Sequence, residues 1–225
     1  MASDAAPIWL LWQLADSAFP TGGFAHSGGL EAAWQLGEVR GRDGIERYLA
    51  DSLNHCGHAA LPFVGAVHRE PARFIHWDRW YDATLPNQVA NRASRALGQG
   101  FLSGAVAAFG REALSELKVS VRRERLFAHL PTSTGAVCAV VGVNLRDSQR
   151  LFLFLHLRAL VSTAIRLGAL GPLEAQAVQH RLGAVAEQVL QGCADLRPED
   201  ACGTAPLHEL FQGHHDRLYS RLFMS

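Results

Sequence analysis

Histidine and cysteine are the side chains here best able to bind a metal or move a proton, and the chain holds 11 of the first and 4 of the second. His55, Cys56 and His58 stand close together. At i and i+3, His55 and His58 share a helix face and could hold one zinc or nickel ion. His214, His215 and Asp216 form a second compact set. Two ligands on one helix make an incomplete site, and no second pair at metal spacing lies near in sequence. Ordinary surface or half-buried histidines explain both sets as well. His26, His129 and His156 stand alone and read as structural. Cys56, Cys138, Cys193 and Cys202 contain no C-x-x-C pair and do not amount to a disulfide scaffold. Reduced thiols and a cytoplasmic location are the expectation.

A nucleophile could sit in Ala25-His-Ser-Gly-Gly29, which resembles the G-x-S-x-G elbow with Ser27 as the attacking hydroxyl. That motif needs a buried strand before it and a helix after it. Pro20-Thr-Gly-Gly-Phe24 is no such strand, so a serine hydrolase is the weaker reading. A P-loop nucleotide site is excluded more firmly. Lys118 is the only lysine and follows Leu117, so no Gly-Lys-Ser/Thr triplet exists and the chain has no P-loop. Glu199-Asp200 reads as a solvated acidic pair. Charge is balanced, 21 basic against 21 acidic residues, which argues against a nucleic-acid or anionic-membrane surface. Arg122, Arg123 and Arg125 form a local basic run that a solvated helix end or loop explains.

These residues sit in a helical pattern. Val89, Ala93, Ala96, Leu97, Gly100, Phe101, Gly104, Ala107 and Ala108 recur at spacings of three and four, marking a core helix with Arg92, Arg95 and Gln99 on its polar side. Residues 149–167 are apolar most of the way round and predict a central helix, with Asn144 or Asp147 as cap, Gly168 as stop and Pro172 opening the next helix. Val137 to Val143 reads as a short buried helix. The apolar run Ile8 to Leu14 reads as a helix; with Asp4 before it, it is no secretory leader. No stretch reaches membrane-spanning length. Residues 119–135 and 193–206 carry turn formers and read as mobile. No internal repeat is present.

The fold class expected is therefore all-α: one helical bundle over residues 1–206 with an amphipathic tail over 207–225. Leu207, Leu210, Phe211, Leu218 and Leu222 share a helical face in that tail. The loop Asp16 to Glu31 is the most unusual segment, with four glycines, Ser27 as a candidate N-cap and Glu31 suited to a helix's first turn.

Three segments in order carry a resemblance to the UreF family of urease accessory proteins. Leu14 to Glu31 is similar to the family's N-terminal signature, Leu157 to Gly171 to its central helix and glycine turn, and His215 to Ser225 to its C-terminal tail. Asn91 to Arg95 adds a weaker match. The chain departs from the family at His129-Leu-Pro-Thr-Ser-Thr-Gly135, where polar residues replace apolar ones. The resemblance implies a non-enzymatic all-α chaperone, usually a homodimer. It would bind a UreD/UreH-type accessory protein, recruit a UreG-type GTPase and dock on apo-urease for nickel insertion. It would need no cofactor of its own, the nickel being handled by the complex. A histidine-rich nickel carrier is the alternative.

The tail is then the candidate partner site. Leu218, Leu222 and Phe223 are expected to enter a partner groove. Tyr219 would pack with its hydroxyl paired, Arg217 and Arg221 would supply directed hydrogen bonds, and Ser220 belongs to the same set; tyrosine and arginine are the usual anchors of interfaces. Such a tail is expected to be mobile alone. Asp16, His26 and Glu31 are candidate polar contacts on the glycine-rich loop.

Overall fold

The computed structural model describes residues 5–225, and the leader reading that rested on Asp4 lies outside them. Among the described residues there is no strand. The order is α1 (Ala5–Ala15), α2 (Leu30–Gln35), α3 (Gly41–Ala59), α4 (Leu61–Arg69), α5 (Phe74–Thr84), α6 (Gln88–Phe109), α7 (Glu112–Arg123), α8 (Leu130–Val141), α9 (Leu145–Arg166), α10 (Pro172–Cys193) and α11 (Pro206–His214), with short 3-10 turns between some of them. The all-α expectation holds.

The long apolar helix is central, as its sequence requires. α9 is capped by Asn144, whose side chain accepts the Asp147 N–H, and it packs against α10, α3, α4 and α8. Gly168, at φ 69°, ends the turn after it, and Pro172 opens α10. Two apolar clusters share the interior. One gathers Leu49, Leu53, Phe63, Leu157, Leu160 and Leu190 around α3, α9 and α10. The other gathers Phe74, Phe101, Leu102, Leu114 and Val137 around α5 to α8. Burying each such side chain contributes about 1.5–3 kcal/mol, and helices this short persist only through that packing.

Three readings of the pattern are corrected. The buried face of α6 is Val89, Gly98, Phe101, Leu102 and Ala105, whereas Ala96, Ala107 and Ala108 are exposed. Alanine gives little hydrophobic direction, and the rotation is set by Gly98, where an added Cβ would lie 2.0 Å from the Ala128 carbonyl oxygen. The backbones of α6 and the start of α8 touch there.

Residues 119–135 are not a loose stretch. α7 runs to Arg123 and Pro131 to Gly135 lie buried inside α8. Asp78 of α5 explains this. It accepts the N–H groups of Phe127 (3.0 Å), Ala128 (2.9 Å) and His129 (2.8 Å) and the Thr132 hydroxyl (2.7 Å). Ala128 is held at φ 52° by this grip, a conformation that alanine adopts only under constraint. Ser133 and Thr134 donate to the carbonyls of Ala128 and Leu130. Every hydroxyl of the polar departure is thus paired, which is what burial demands.

Residues 193–206 are likewise tied. Cys202 N–H donates to His58 O (3.4 Å), Thr204 N–H to His55 Nδ1 (3.2 Å), and Arg197 N–H to Asp200 (2.9 Å). Among the described residues no helix is long and apolar enough to cross a membrane.

Candidate functional site

Glycine builds the site's first wall. Gly28 and Gly29 have φ of 59° and 86°, a region nearly closed to side chains. At Gly29 a Cβ would also meet Tyr48 Oη and Gln212 Cγ at 2.9 Å. The turn they form is pinned by Tyr48, whose hydroxyl donates to Gly28 O (2.8 Å). This turn leads into α2, with Gly29 rather than Ser27 at the N-cap position.

The C-terminal segment lies against that turn. The structure brings together the two segments that the sequence singled out separately. Ser27 N–H donates to Ser225 O, and Met224 N–H donates to Ala25 O (2.7 Å). His26 Nδ1 is hydrogen bonded to the Ser225 hydroxyl. Glu31 is fully buried. Its carboxylate accepts Leu222 N–H (2.6 Å) and His215 Nε2–H (3.1 Å). Gln35 donates to Ser220 O (3.1 Å). The Arg166 guanidinium lies 4.2 Å from the Phe223 ring centroid and donates to Phe24 O and Leu222 O. Arg92 grips Asp216 with two bonds, 2.8 and 3.3 Å, and Arg221 approaches the same carboxylate at 3.5 Å. Arg92 first, and His215 after it, hold the Asp216 carboxyl below its usual range. Burial lowers the His26 pKa, and Arg92 and His215 lower it further.

This geometry corrects the tail. The helix stops at His214, a 3-10 turn covers His215–Arg217, and Leu218 onward is irregular. Leu218 and Leu222 therefore do not continue the face of Leu207, Leu210 and Phe211. The reason is that the backbone groups of 220–225 bond to the glycine-rich turn, to Gln35 and to Arg166 instead of to one another. Phe223 points into its own fold, 5% exposed, whereas Tyr219 is fully exposed and Leu222 and Met224 are 60% and 70% exposed. Arg217 and Ser220 are exposed and Leu218 is half-buried. Asp16 stands apart from this contact; it is exposed and accepts the Ala18 N–H (2.7 Å).

The other candidates fall as follows. Ser27 is completely buried and its hydroxyl has no partner among the described residues; the neighbouring His26 ring bonds Ser225 instead, so no base activates it as a nucleophile. His55 and His58 serve as anchors of the 193–206 turn, His58 also bonding Asn54 O (3.0 Å). Among the described residues no three metal-ligating side chains gather. His129 joins Ser94 (3.1 Å) and Asp82 (3.1 Å). Leu130 N–H occupies the Ser94 oxygen, so this relay is a lock between α5, α6 and α8. Tyr48 and Arg166 were not read from the sequence; Arg92 stood only as a polar-side residue of α6, and His215 and Asp216, read with His214 as a possible metal set, bond Glu31 and Arg92 instead. No local pattern marks Tyr48 or Arg166, whose partners lie 20 and 142 residues away.

A cavity of about 290 Å³ opens beside the turn. Its wall includes His26, His55, Cys56, His156, His208 and Ser225. Burial, reinforced by neighbouring imidazoles, brings His156 and His208 down to about 4. His156 bonds Ser52 (2.8 Å) and His208 stacks on Tyr48 with centroids 3.9 Å apart. These two rings add no charge to the wall at neutral pH, whereas Glu209 and Arg158 also line it.

Comparison with known proteins bears on what such a site serves. The sequence profile of the UreF family matches residues 39–183. Urease accessory protein F of Arabidopsis thaliana is 37% identical over 223 residues, covering 96% of this chain and 92% of that protein. The protein of the same name from Oryza sativa subsp. indica is 36% identical over 221 residues, covering 96% and 84%. Urease accessory protein UreF of Mycobacterium tuberculosis (strain ATCC 25177 / H37Ra) is 30% identical over 220 residues, covering 96% and 98%.

Proposed function

The chain belongs to the UreF family of urease accessory proteins, and from that premise we propose that it is the bridging chaperone of a urease-maturation assembly. It is an accessory protein rather than an enzyme. In this reading it binds a UreD/UreH-type subunit, recruits a UreG-type GTPase, and works as a homodimer in the cytoplasm while nickel passes into apo-urease. The nucleotide belongs to the GTPase, in keeping with a chain that has no P-loop.

One observation carries the reading. The tail is pre-shaped by its own fold, yet it turns Tyr219, Leu222 and Met224 to solvent. An apolar edge held by bonds to Glu31, Gln35 and Arg166 binds a partner at lower entropic cost than a free tail. Tyr219, flanked by Arg217 and Arg221, has the composition of an interface anchor.

Co-expression with UreD-type and UreG-type proteins, followed by light scattering, tests this. Tyr219→Ala with Leu222→Ala removes exposed side chains only. The double variant is expected to melt as the wild type does and to lose the complex. A complex of unchanged mass and affinity would remove the tail from the interface. The nickel-carrier alternative draws no support from His55 and His58: the His55 ring accepts Thr204 N–H, the His58 ring bonds Asn54 O, and no three metal-ligating side chains gather among the described residues.

A further inference from the structure

Two of the four thiols meet at one residue. Cys193, at the end of α10, is buried, with its Sγ 3.6 Å from His58 Nδ1 and 3.8 Å from His58 Nε2. Cys202 is exposed, and its N–H donates to the carbonyl of the same His58 at 3.4 Å. Burial raises the Cys193 thiol's pKa, and the nearby Cys202 raises it further, so Cys193 needs a base to react. His58 supplies one. Its Nδ1 lies 3.0 Å from Asn54 O; a carbonyl only accepts, so Nδ1 carries the ring's hydrogen and Nε2 is left to accept. Bonds of 3.4 and 3.2 Å, from Cys202 and Thr204, hold the far end of the 193–206 turn on α3, and a surface turn held in this way opens locally. No three metal ligands converge among the described residues, which leaves the pair thiol chemistry rather than metal binding.

We infer that Cys193 and Cys202 form a dithiol modification site that a hydroperoxide closes to a disulfide, with His58 as the base for the second step. Exposed Cys202 reacts first. Its sulfur attacks one peroxide oxygen, the O–O bond breaks, and the thiol proton leaves with the released hydroxide as water, giving a sulfenic acid. Cys193 Sγ then attacks that sulfur while His58 Nε2 takes its proton. The S–O bond breaks, and the departing hydroxide collects the proton from His58 and leaves as water. Two thiols lose two electrons and two hydrogens, and one peroxide becomes two waters. The disulfide closes residues 193–202 into a ring at the step from α10 into α11, and a thiol reductant reopens it.

The reduced chain would be treated with hydrogen peroxide, blocked at its free thiols in denaturant, and cut by a glutamate-specific protease without reductant. Cleavage after Glu187, Glu199 and Glu209 puts the two cysteines on separate peptides. The expected product is those peptides joined, two hydrogens lighter than their sum and separated by dithiothreitol. It should form at least about tenfold faster than any oxidation of buried Cys138, since reactivity follows thiol exposure. Cys202 left as a sulfinic acid with Cys193 free, Cys202 joined to a second chain, or Cys193 joined to Cys56 would each overturn the pairing. Cys193→Ser should leave Cys202 as a sulfenic acid that dimedone traps. His58→Asn should leave the first step unchanged and slow the disulfide step at least about tenfold; a disulfide step of unchanged rate would remove His58 as the base.

Discussion

Glu31 concentrates the site's polar energetics. Its carboxylate is completely buried and serves a backbone N–H of the tail, the His215 ring and Gln35. Removing it leaves the buried His215 ring and the half-buried Leu222 N–H without this acceptor. At about 1–3 kcal/mol for each unsatisfied group, Glu31→Ala is expected to cost about 3 kcal/mol in urea unfolding. Glu31→Gln should cost less, because one amide oxygen still accepts. Histidine protonation makes a second residue-scale prediction. His156 and His208 titrate near 4 in the fold, against 6.5 when unperturbed. Between those values the unfolded chain binds more protons than the folded one, so stability falls as pH drops from about 6.5 toward 4. Each group contributes up to about 1.4 kcal/mol per pH unit. His208→Phe keeps a ring on Tyr48 and removes one proton site. Urea titrations from pH 7 to 5 should show its slope reduced by about one group's share.

Among the elements, the contact of α6 with α8 is the least forgiving. Gly98 lets the α6 backbone touch the Ala128 carbonyl and Leu130 N, where an added Cβ would stand 2.0 and 2.6 Å away. Neither neighbour is a flexible side chain, and Ala128 is already clamped by Asp78. Gly98→Ala is expected to cost at least about 2 kcal/mol, read as a lower urea midpoint. Gly183 of α10 has open space around its Cβ position. The same substitution there should be neutral or stabilising by up to about 1 kcal/mol through helix propensity. The helical period was plain in the sequence for α6, yet its orientation was not, because a run of alanines and glycines turns as easily one way as another. Where large side chains dominated, as in α9, both the helix and its central place were legible.

At the scale of the whole molecule, the docked tail decides what the protein can offer a partner. The Tyr219→Ala and Leu222→Ala pair acts on a surface already shaped, so its effect should fall on dissociation of the complex and leave the melting temperature unchanged. Phe223→Ala instead removes the buried ring that fixes the segment, and should weaken the complex and lower the melting temperature together. The contrast between an outward and an inward residue, one position apart, is a test that tail deletion cannot make.

What the sequence determined by itself was everything that rests on composition and near neighbours. The all-α class, the central helix with Asn144, Gly168 and Pro172 at its ends, the absent P-loop and the ordered family segments all depend on residues a few positions apart. Three matters waited for the tertiary structure. The polar run Thr132-Ser-Thr134 looked like a loose loop until Asp78, some 50 residues earlier, supplied its acceptor. The tail looked like a continuing helix until Glu31, 191 residues away, took its backbone hydrogen. Ser27 looked like a nucleophile or cap until its burial left it as neither. In each case the deciding partner is remote in sequence, and a buried polar group takes its conformation from whichever partner satisfies it.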